Sequence, residues 1–476
     1  MSETADLVIT NGTVVTETAT FEASLAARDG VITAIGAASE MPPAAETIDA
    51  SGLHILPGII DVHVHFREPG MTHKEDWATG SRAAAMGGVT TVFEMPNTNP
   101  PVSNVEGYTL KRGLADEKSI VDFGIYGVIL DDNLADLAPL AEAGVIGYKL
   151  FLGNTTGNLP CPSDGAILEA FEILSRLGKR CSIHAENSPI LFWREDRLKR
   201  AGRYDPVDHV LSRTDVVAVE ALSKSCVFAE WTGARIHIVH ESCASSLPYI
   251  RFFKDKGVDV TVETLPQYLL LALEDMDRPG GHVMRMNPPI RERAQQGPLR
   301  QAFAEGLIDM IATDHAPHLP EEKDGATIWD MACGFPGVET QVPLMLSLAA
   351  EGAFSLQRYV QASSAAPARA FGLYGTKGLI APRADADLTL VDLGRKEVLS
   401  AERLSSRGKV SPFEGMSVTG WPVGTIVRGK AVMRDGEITA EAGWGQEVRQ
   451  AMPEPAPRNA EKHLATLCGA SPAPGQ

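Results

Sequence analysis

Eight short apolar runs, separated by stretches with helical spacing, constrain this chain more than any other feature. They lie at 59–66, 89–95, 121–129, 145–151, 180–185, 235–240, 258–263 and 308–313. Their length and β-branched content read as buried strands. Between most of them lie Ala/Leu/Glu-rich segments of helical period, as at 74–86, 134–143, 167–177 and 216–232. Eight such units predict an α/β protein with a parallel (β/α)8 barrel, closed by right-handed crossovers. The competing architecture, an open doubly wound sheet, would carry a glycine-rich dinucleotide fingerprint after its first strand, and none is present.

The flanks have a different texture. The run LVITNGTVV at 7–15 predicts a hairpin turning at Asn11-Gly12, and a second hairpin turns at Asp29-Gly30, since these pairs tolerate positive φ. Strand-like sequence returns after Gly378 in LIAPRADADLTLVDL and GTIVRGKAVMRDGEI. The simplest account is a small β-sandwich built from both chain ends around an inserted barrel. The expected divisions are 1–57, 58–377 and 378–446, followed by a Pro/Ala-rich tail at 447–476 whose composition favours disorder, with room for a docking segment. A length of 476 residues suits a large barrel with an accessory domain. The net charge of −18 provides no basic excess to neutralise phosphates, which argues against nucleic-acid and anionic-membrane partners. No apolar run approaches the ~20 residues of a membrane span, and the N-terminus lacks a signal-peptide pattern. Six scattered cysteines without CxxC spacing indicate reduced thiols and a cytoplasmic protein.

The first run, IIDVHVHFREPG, places His63 and His65 two apart, so both imidazoles point to one side of a strand, with Arg67 beside them. His184, His240 and Asp314 end later runs, on the face where barrel enzymes carry their chemistry. Singly, each histidine reads more readily as a structural residue than as a ligand; together they form a zinc-type ligand set. Lys149 falls on the same face. Spacing alone favours a lysine snorkelling into a salt bridge, whereas a carbamate formed from its amine and CO2 would be a bidentate anion able to bridge two metals.

The motifs HVHFREPG, EMPNTNPP, GYKLFLG, HAEN, HIVHES, RMNPPIR and TDHAPH, with DADLTLVD near Asp387, resemble the amidohydrolase superfamily, and most closely its dihydroorotase family. The resemblance implies a binuclear zinc centre: His63, His65 and Asp314 on one Zn2+, His184 and His240 on the other, with carboxylated Lys149 and a hydroxide between them. Some bacterial members have aspartate in place of this lysine. The implied reaction is the reversible hydrolysis of dihydroorotate to N-carbamoyl-aspartate in pyrimidine biosynthesis, with Asp314 shuttling the proton to the leaving ring nitrogen. Arg67 is shaped to hold the substrate carboxylate bidentately. Asn97 and His318 match the family's other carboxylate contacts, and Asn287 its contact to the ring amide. The polar loop at 153–160 suits a lid whose Thr155 or Thr156 bonds the substrate.

Simpler readings stand beside these. Asn97 and Asn287 adjoin Pro96 and Pro288 as turn residues do, Arg67 has Glu68 and Asp76 within reach for a rim salt bridge, and 153–160 is equally an ordinary surface loop. Allantoinases and hydantoinases of the dihydropyrimidinase type share the metal set but act on rings without a carboxylate. A catalytically silent scaffold would have lost ligands, and none is lost here. The expected partners are a small-molecule substrate and further copies of the chain in a homo-oligomer.

Overall fold

The computed structural model describes residues 4–153, 156–157, 159–276 and 281–450. The chain opens with β1 (Ala5–Val15), β2 (Thr20–Arg28), β3 (Val31–Gly36), β4 (Ala44–Asp49) and β5 (His54–Pro57). Asn11-Gly12 is not a hairpin turn. β1 runs straight through it, antiparallel to β2, with a register shift between Ile9 and Gly12 and Asn11 at φ 60°. The positive φ is used in a bulge. A Cβ on Gly12 would lie 2.3 Å from Ile55 Cδ1, so the approach of β5 is what requires glycine. The second hairpin forms as expected: Asp29 and Gly30, at φ 53° and 82°, connect β2 to β3.

The barrel strands are β6 (Ile59–Val64), β7 (Val89–Glu94), β8 (Asp122–Val128), β9 (Gly147–Phe151), β10 (Arg180–His184), β11 (Arg235–Ile238), β12 (Val260–Thr264) and β13 (Met310–Ile311). They lie side by side in chain order in one parallel sheet. The His65 amide, donating to the His315 carbonyl at 2.8 Å, ties the last strand back to the first. Burial on both faces, as along the whole of β6 and β7, accounts for the unbroken apolar runs. Helices α1 (Trp77–Met86), α2 (Val105–Lys118), α3 (Leu137–Ala143) and α4 (Asp164–Leu177) follow the first four strands. Asp76, Asn104 and Ser163 cap three of them by accepting from backbone amides in the first turn. Phe93, Tyr126 and His237 pack at 5.0, 6.0 and 6.0 Å on Phe371, which fills the barrel interior.

After the barrel come β14 (Leu388–Val398), β15 (Ser417–Val427), β16 (Lys430–Arg434) and β17 (Glu437–Ile438). β14 pairs antiparallel with β5, so strands from both chain ends join in one nine-stranded sheet. Its core is Leu7, Ile9, Leu25, Ile55, Leu388 and Ile426. Three carboxylates, Asp122 of the barrel with Asp385 and Asp387 beside β14, could together hold an ion, but Lys377 Nζ sits among them at 2.7, 2.8 and 2.5 Å. A lysine therefore serves as the internal counter-ion where barrel and sheet meet. Beyond β17, Phe123 of β8 exchanges backbone hydrogen bonds with Gln446 and Val448, which docks the start of the predicted tail on the barrel. Residues 451–476 of that tail lie outside the described residues. Among the described residues no helix is long and apolar enough to cross a membrane.

Candidate metal centre and substrate cavity

His63, His65, Lys149, His184, His240 and Asp314 all line one cavity of about 290 Å3. His65 lies one residue past β6, His240 two past β11 and Asp314 three past β13, while His184 ends β10 and Lys149 sits inside β9. Asp314 Oδ1 is 3.4 Å from His63 Nε2 and 3.1 Å from His65 Nε2. Donor atoms of these three residues all lie within 4.8 Å of one another. The His240 ring stands 5.3 Å from that of His63 and 4.6 Å from that of His184. Burial pushes the imidazoles of His63, His65 and His240 well below their ordinary pKa, which keeps them in the neutral, ligating form. Burial also raises Asp314 to about 6.

Lys149 neither snorkels nor forms a salt bridge. It is fully buried, and Nζ has no hydrogen-bond partner among the described residues. Burial lowers its pKa to about 8. His240 Nδ1 is likewise buried without a partner. Neutral imidazoles, a carboxylate and an orphaned amine open to carboxylation form a donor set that fits divalent metal ions.

Residues that the sequence reading omits orient this set. Glu263, in β12, places Oε1 2.7 Å from His63 Nδ1 and Oε2 2.9 Å from His237 Nε2. It also accepts from the His240 amide at 3.0 Å. Glu186 Oε2 lies 2.8 Å from His184 Nε2, and Asn97 Oδ1 lies 2.9 Å from His65 Nδ1. One nitrogen of each of these rings is thus engaged, leaving His63 Nε2, His65 Nε2 and His184 Nδ1 turned to ligation. Asp61 accepts from the His63 amide and from the Thr313 hydroxyl, tying β6 to the loop that carries Asp314. An ionisable residue inside an apolar strand, as in IIDV and VTVET, is the sequence signal that would have found Asp61 and Glu263.

Arg67, at φ 63°, lines the same cavity and is only 2% exposed. It makes no rim salt bridge: Glu68 accepts from Lys118 and the Trp77 amide, and Asp76 caps α1 and holds Arg407. Lys74 Nζ donates to His318 Nδ1 at 3.1 Å, so the His318 proton sits on Nε2 and donates to the Cys333 carbonyl at 3.1 Å. Arg67 Nη2 lies 3.3 Å from that same Nε2, which in this tautomer has no lone pair to offer. The guanidinium bonds the Pro317 carbonyl through Nε and has no carboxylate partner among the described residues. Asn287 lines the cavity with Oδ1 unpaired. Asn97 lines it too, but its Oδ1 is turned to His65 and its Nδ2 donates to the Thr156 carbonyl at 2.9 Å, so it orients His65 besides facing the cavity. Thr156 is at the wall; Thr155 lies outside the described residues. Phe151, Trp329 and Met331 give the cavity an apolar side.

Residues 54–432 match the model of the amidohydrolase family. The L-hydantoinase of Paenarthrobacter aurescens is 33% identical over 93% of this chain and 98% of its own length. The allantoinase of Solibacter usitatus is 36% identical over 94% and 97%, and the dihydroorotase of Methanosarcina acetivorans 37% over 89% and 91%. The solved L-hydantoinase (dihydropyrimidinase) from Arthrobacter aurescens superposes with a TM-score of 0.91 at 33% identity, covering 94% of this chain and 100% of that one.

Proposed function

Because the chain belongs to the amidohydrolase family, and within it stands among the cyclic amidohydrolases, we propose that it acts on a ring bearing a carboxylate, interconverting dihydroorotate and N-carbamoyl-aspartate as a dihydroorotase. The observation that carries this reading is Arg67, a buried guanidinium that faces the cavity with no acid to pair with among the described residues. Burying such a cation costs several kcal/mol unless an anion meets it, and a substrate carboxylate is the partner its fork fits.

In this reading His63, His65 and Asp314 would hold one zinc and His184 and His240 a second, with Lys149, once carboxylated, available as a ligand to them. Bound zinc supplies Lewis acidity and lowers the pKa of water into the neutral range. The chain's own residues do the rest. Arg67, beside His318, anchors the ring carboxylate and so fixes which amide faces Asp314. The unpaired Asn287 Oδ1 accepts from the ring N–H. Asp314, through the oxygen turned away from the histidines, takes the proton of the attacking water and returns it to the leaving nitrogen. Phe151 and Trp329 keep bulk water from the ring. The free thiols of the described cysteines accord with a reducing, cytoplasmic setting, and a homo-oligomer is part of the same reading.

A second reading, allantoinase or hydantoinase, is favoured by the names of the relatives and by the fold match to L-hydantoinase. It assigns Arg67 no substrate contact, and this decides the experiment. Wild-type and Arg67→Met protein are assayed with zinc on dihydroorotate, hydantoin, dihydrouracil and allantoin. The expected result is that dihydroorotate is the best substrate and that the substitution lowers its kcat/KM by about a hundredfold or more, with threefold or less change on uncharged rings. Faster wild-type turnover of an uncharged ring, indifferent to Arg67→Met, would transfer the assignment to the second reading.

A further inference from the structure

Lys323 closes the short helical turn Pro320–Glu322, is fully buried and takes no part in the reaction above. Among the described residues no carboxylate pairs with it, although Glu322 is its neighbour: the Glu322 carboxylate is held by Lys74 at 2.6 Å and by the Leu319 amide at 2.9 Å. Lys323 Nζ instead donates to three backbone carbonyls, those of Arg285 at 2.8 Å, Ala332 at 2.8 Å and Gly334 at 2.9 Å. An ammonium has three N–H groups, so donors and acceptors match one to one. Burying a charge away from any counter-ion costs stability, so stability alone does not account for a lysine at this place.

The three carbonyls belong to two separate stretches of the cavity wall. Arg285 and Asn287 line the cavity from the RMNPPIR segment, and Ala332, Cys333 and Gly334 line it from the far end of the loop that follows Asp314. Backbone bonds join the same pieces: the Gly334 amide donates to the Arg285 carbonyl at 2.9 Å, and the Ala332 amide to the Glu322 carbonyl at 2.8 Å. Gly334, at φ 116°, packs so that a Cβ would lie 2.6 Å from the Cβ of Ala316, which leaves this wall no slack. We infer that Lys323 is a positioning residue: by holding both stretches on one ammonium it fixes the width of the cavity on the side where Asn287 would meet the ring, and so governs how tightly the ring is held. The inference rests on the proposed function only in taking this cavity as the place where the ring binds, and it applies to either class of ring.

The experiment compares zinc-loaded wild type with Lys323→Met, which keeps the apolar stem and removes the donors, in two ways. Hydrogen exchange read by mass spectrometry needs no substrate: protection of the Ala332 and Gly334 amides should fall tenfold or more, while that of β9 and β10 stays as in wild type. Kinetics use whichever of dihydroorotate, hydantoin, dihydrouracil and allantoin the wild type turns over fastest. KM should rise tenfold or more, kcat should change threefold or less, and zinc per chain should stay constant. Lys323→Gln, which keeps two N–H groups on a shorter stem, should fall between the two and carries both readouts if Lys323→Met does not fold. Unchanged exchange at 332 and 334, or a loss of protection spread evenly through the barrel, would overturn the inference, as would a fall in kcat with KM unchanged. Preference for an uncharged ring would refute the proposed reaction while both readouts still judge Lys323.

Discussion

Lys149 is held in β9 with no hydrogen-bond partner, in surroundings that lower its pKa to about 8. An amine near neutrality is the form that adds CO2, and the carbamate would give the surrounding imidazoles a shared anion. Lys149→Ala is therefore expected to lose bound metal and activity together, and added acetate or propionate to restore part of both. Elemental analysis and rates with and without the acid check this; a wild-type rate without acid would exclude the carbamate. Glu263 holds His63 on one oxygen and His237 on the other, so Glu263→Gln leaves one histidine without its acceptor. Chelator competition should show metal affinity reduced about 10–100-fold. The histidines were legible in the sequence because they recur at the ends of apolar runs. Glu263 gave only the weaker signal of an ionisable residue in an apolar run, which reads as easily as the point where a strand meets solvent. Its two side-chain contacts come from His63 and His237, one of them two hundred positions away.

Four of the eight strands begin at the expected residue and four one or two residues later, and most stop short of the expected ends. The reason is local: Arg67, His240 and Asp314 take φ of 63°, 42° and 47°, turning the chain out of the ladder as it delivers its side chains. Composition carries no sign of such a bend, and Asn11-Gly12 misleads in the reverse sense, since the same conformational freedom serves a bulge as well as a turn. The packing of α1 on the segment that follows β6 shows how tightly one element sets another. Gly80, mid-helix, would ordinarily gain about 1 kcal/mol on replacement by alanine, but a Cβ there would lie 2.4 Å from Phe66 Cδ1. Overpacking of this kind costs about 1–3 kcal/mol, and Phe66 stands between His65 and Arg67. Gly80→Ala is thus expected to lower stability by about 1 kcal/mol in urea unfolding, and to reduce kcat/KM by displacing both neighbours.

Across the whole molecule the joining of both chain ends was readable from the returning strand texture, whereas the clasp of Lys377 on Asp122, Asp385 and Asp387 was not, since no spacing rule connects them. The docked segment after β17 has an electrostatic signature. Lys179 is 3% exposed, donates to the Val145 carbonyl, and is lowered from 10.5 to about 8, chiefly by burial and then by Arg449 of that segment. Between pH 8 and 10.5 the unfolded chain holds a proton here that the folded protein has released, so the folded state gains stability as pH rises through this window. Relative to Lys179→Met, the wild-type protein should gain roughly 1–3 kcal/mol between pH 7 and pH 10, read from urea midpoints; no difference in slope would remove Lys179 as the cause. The pairing of β5 with β14 also bears on how the chain is made. Pro57 and Leu388 are register partners, so as the polypeptide leaves the ribosome β5 waits for a strand more than three hundred residues behind it. At about 5–20 residues per second that interval lasts roughly 20–60 s. Through it Ile55 and Leu56 stand on an open edge able to pair with a neighbouring nascent chain, so synthesis rate and chaperone supply, more than final stability, should govern how much of this protein is recovered folded.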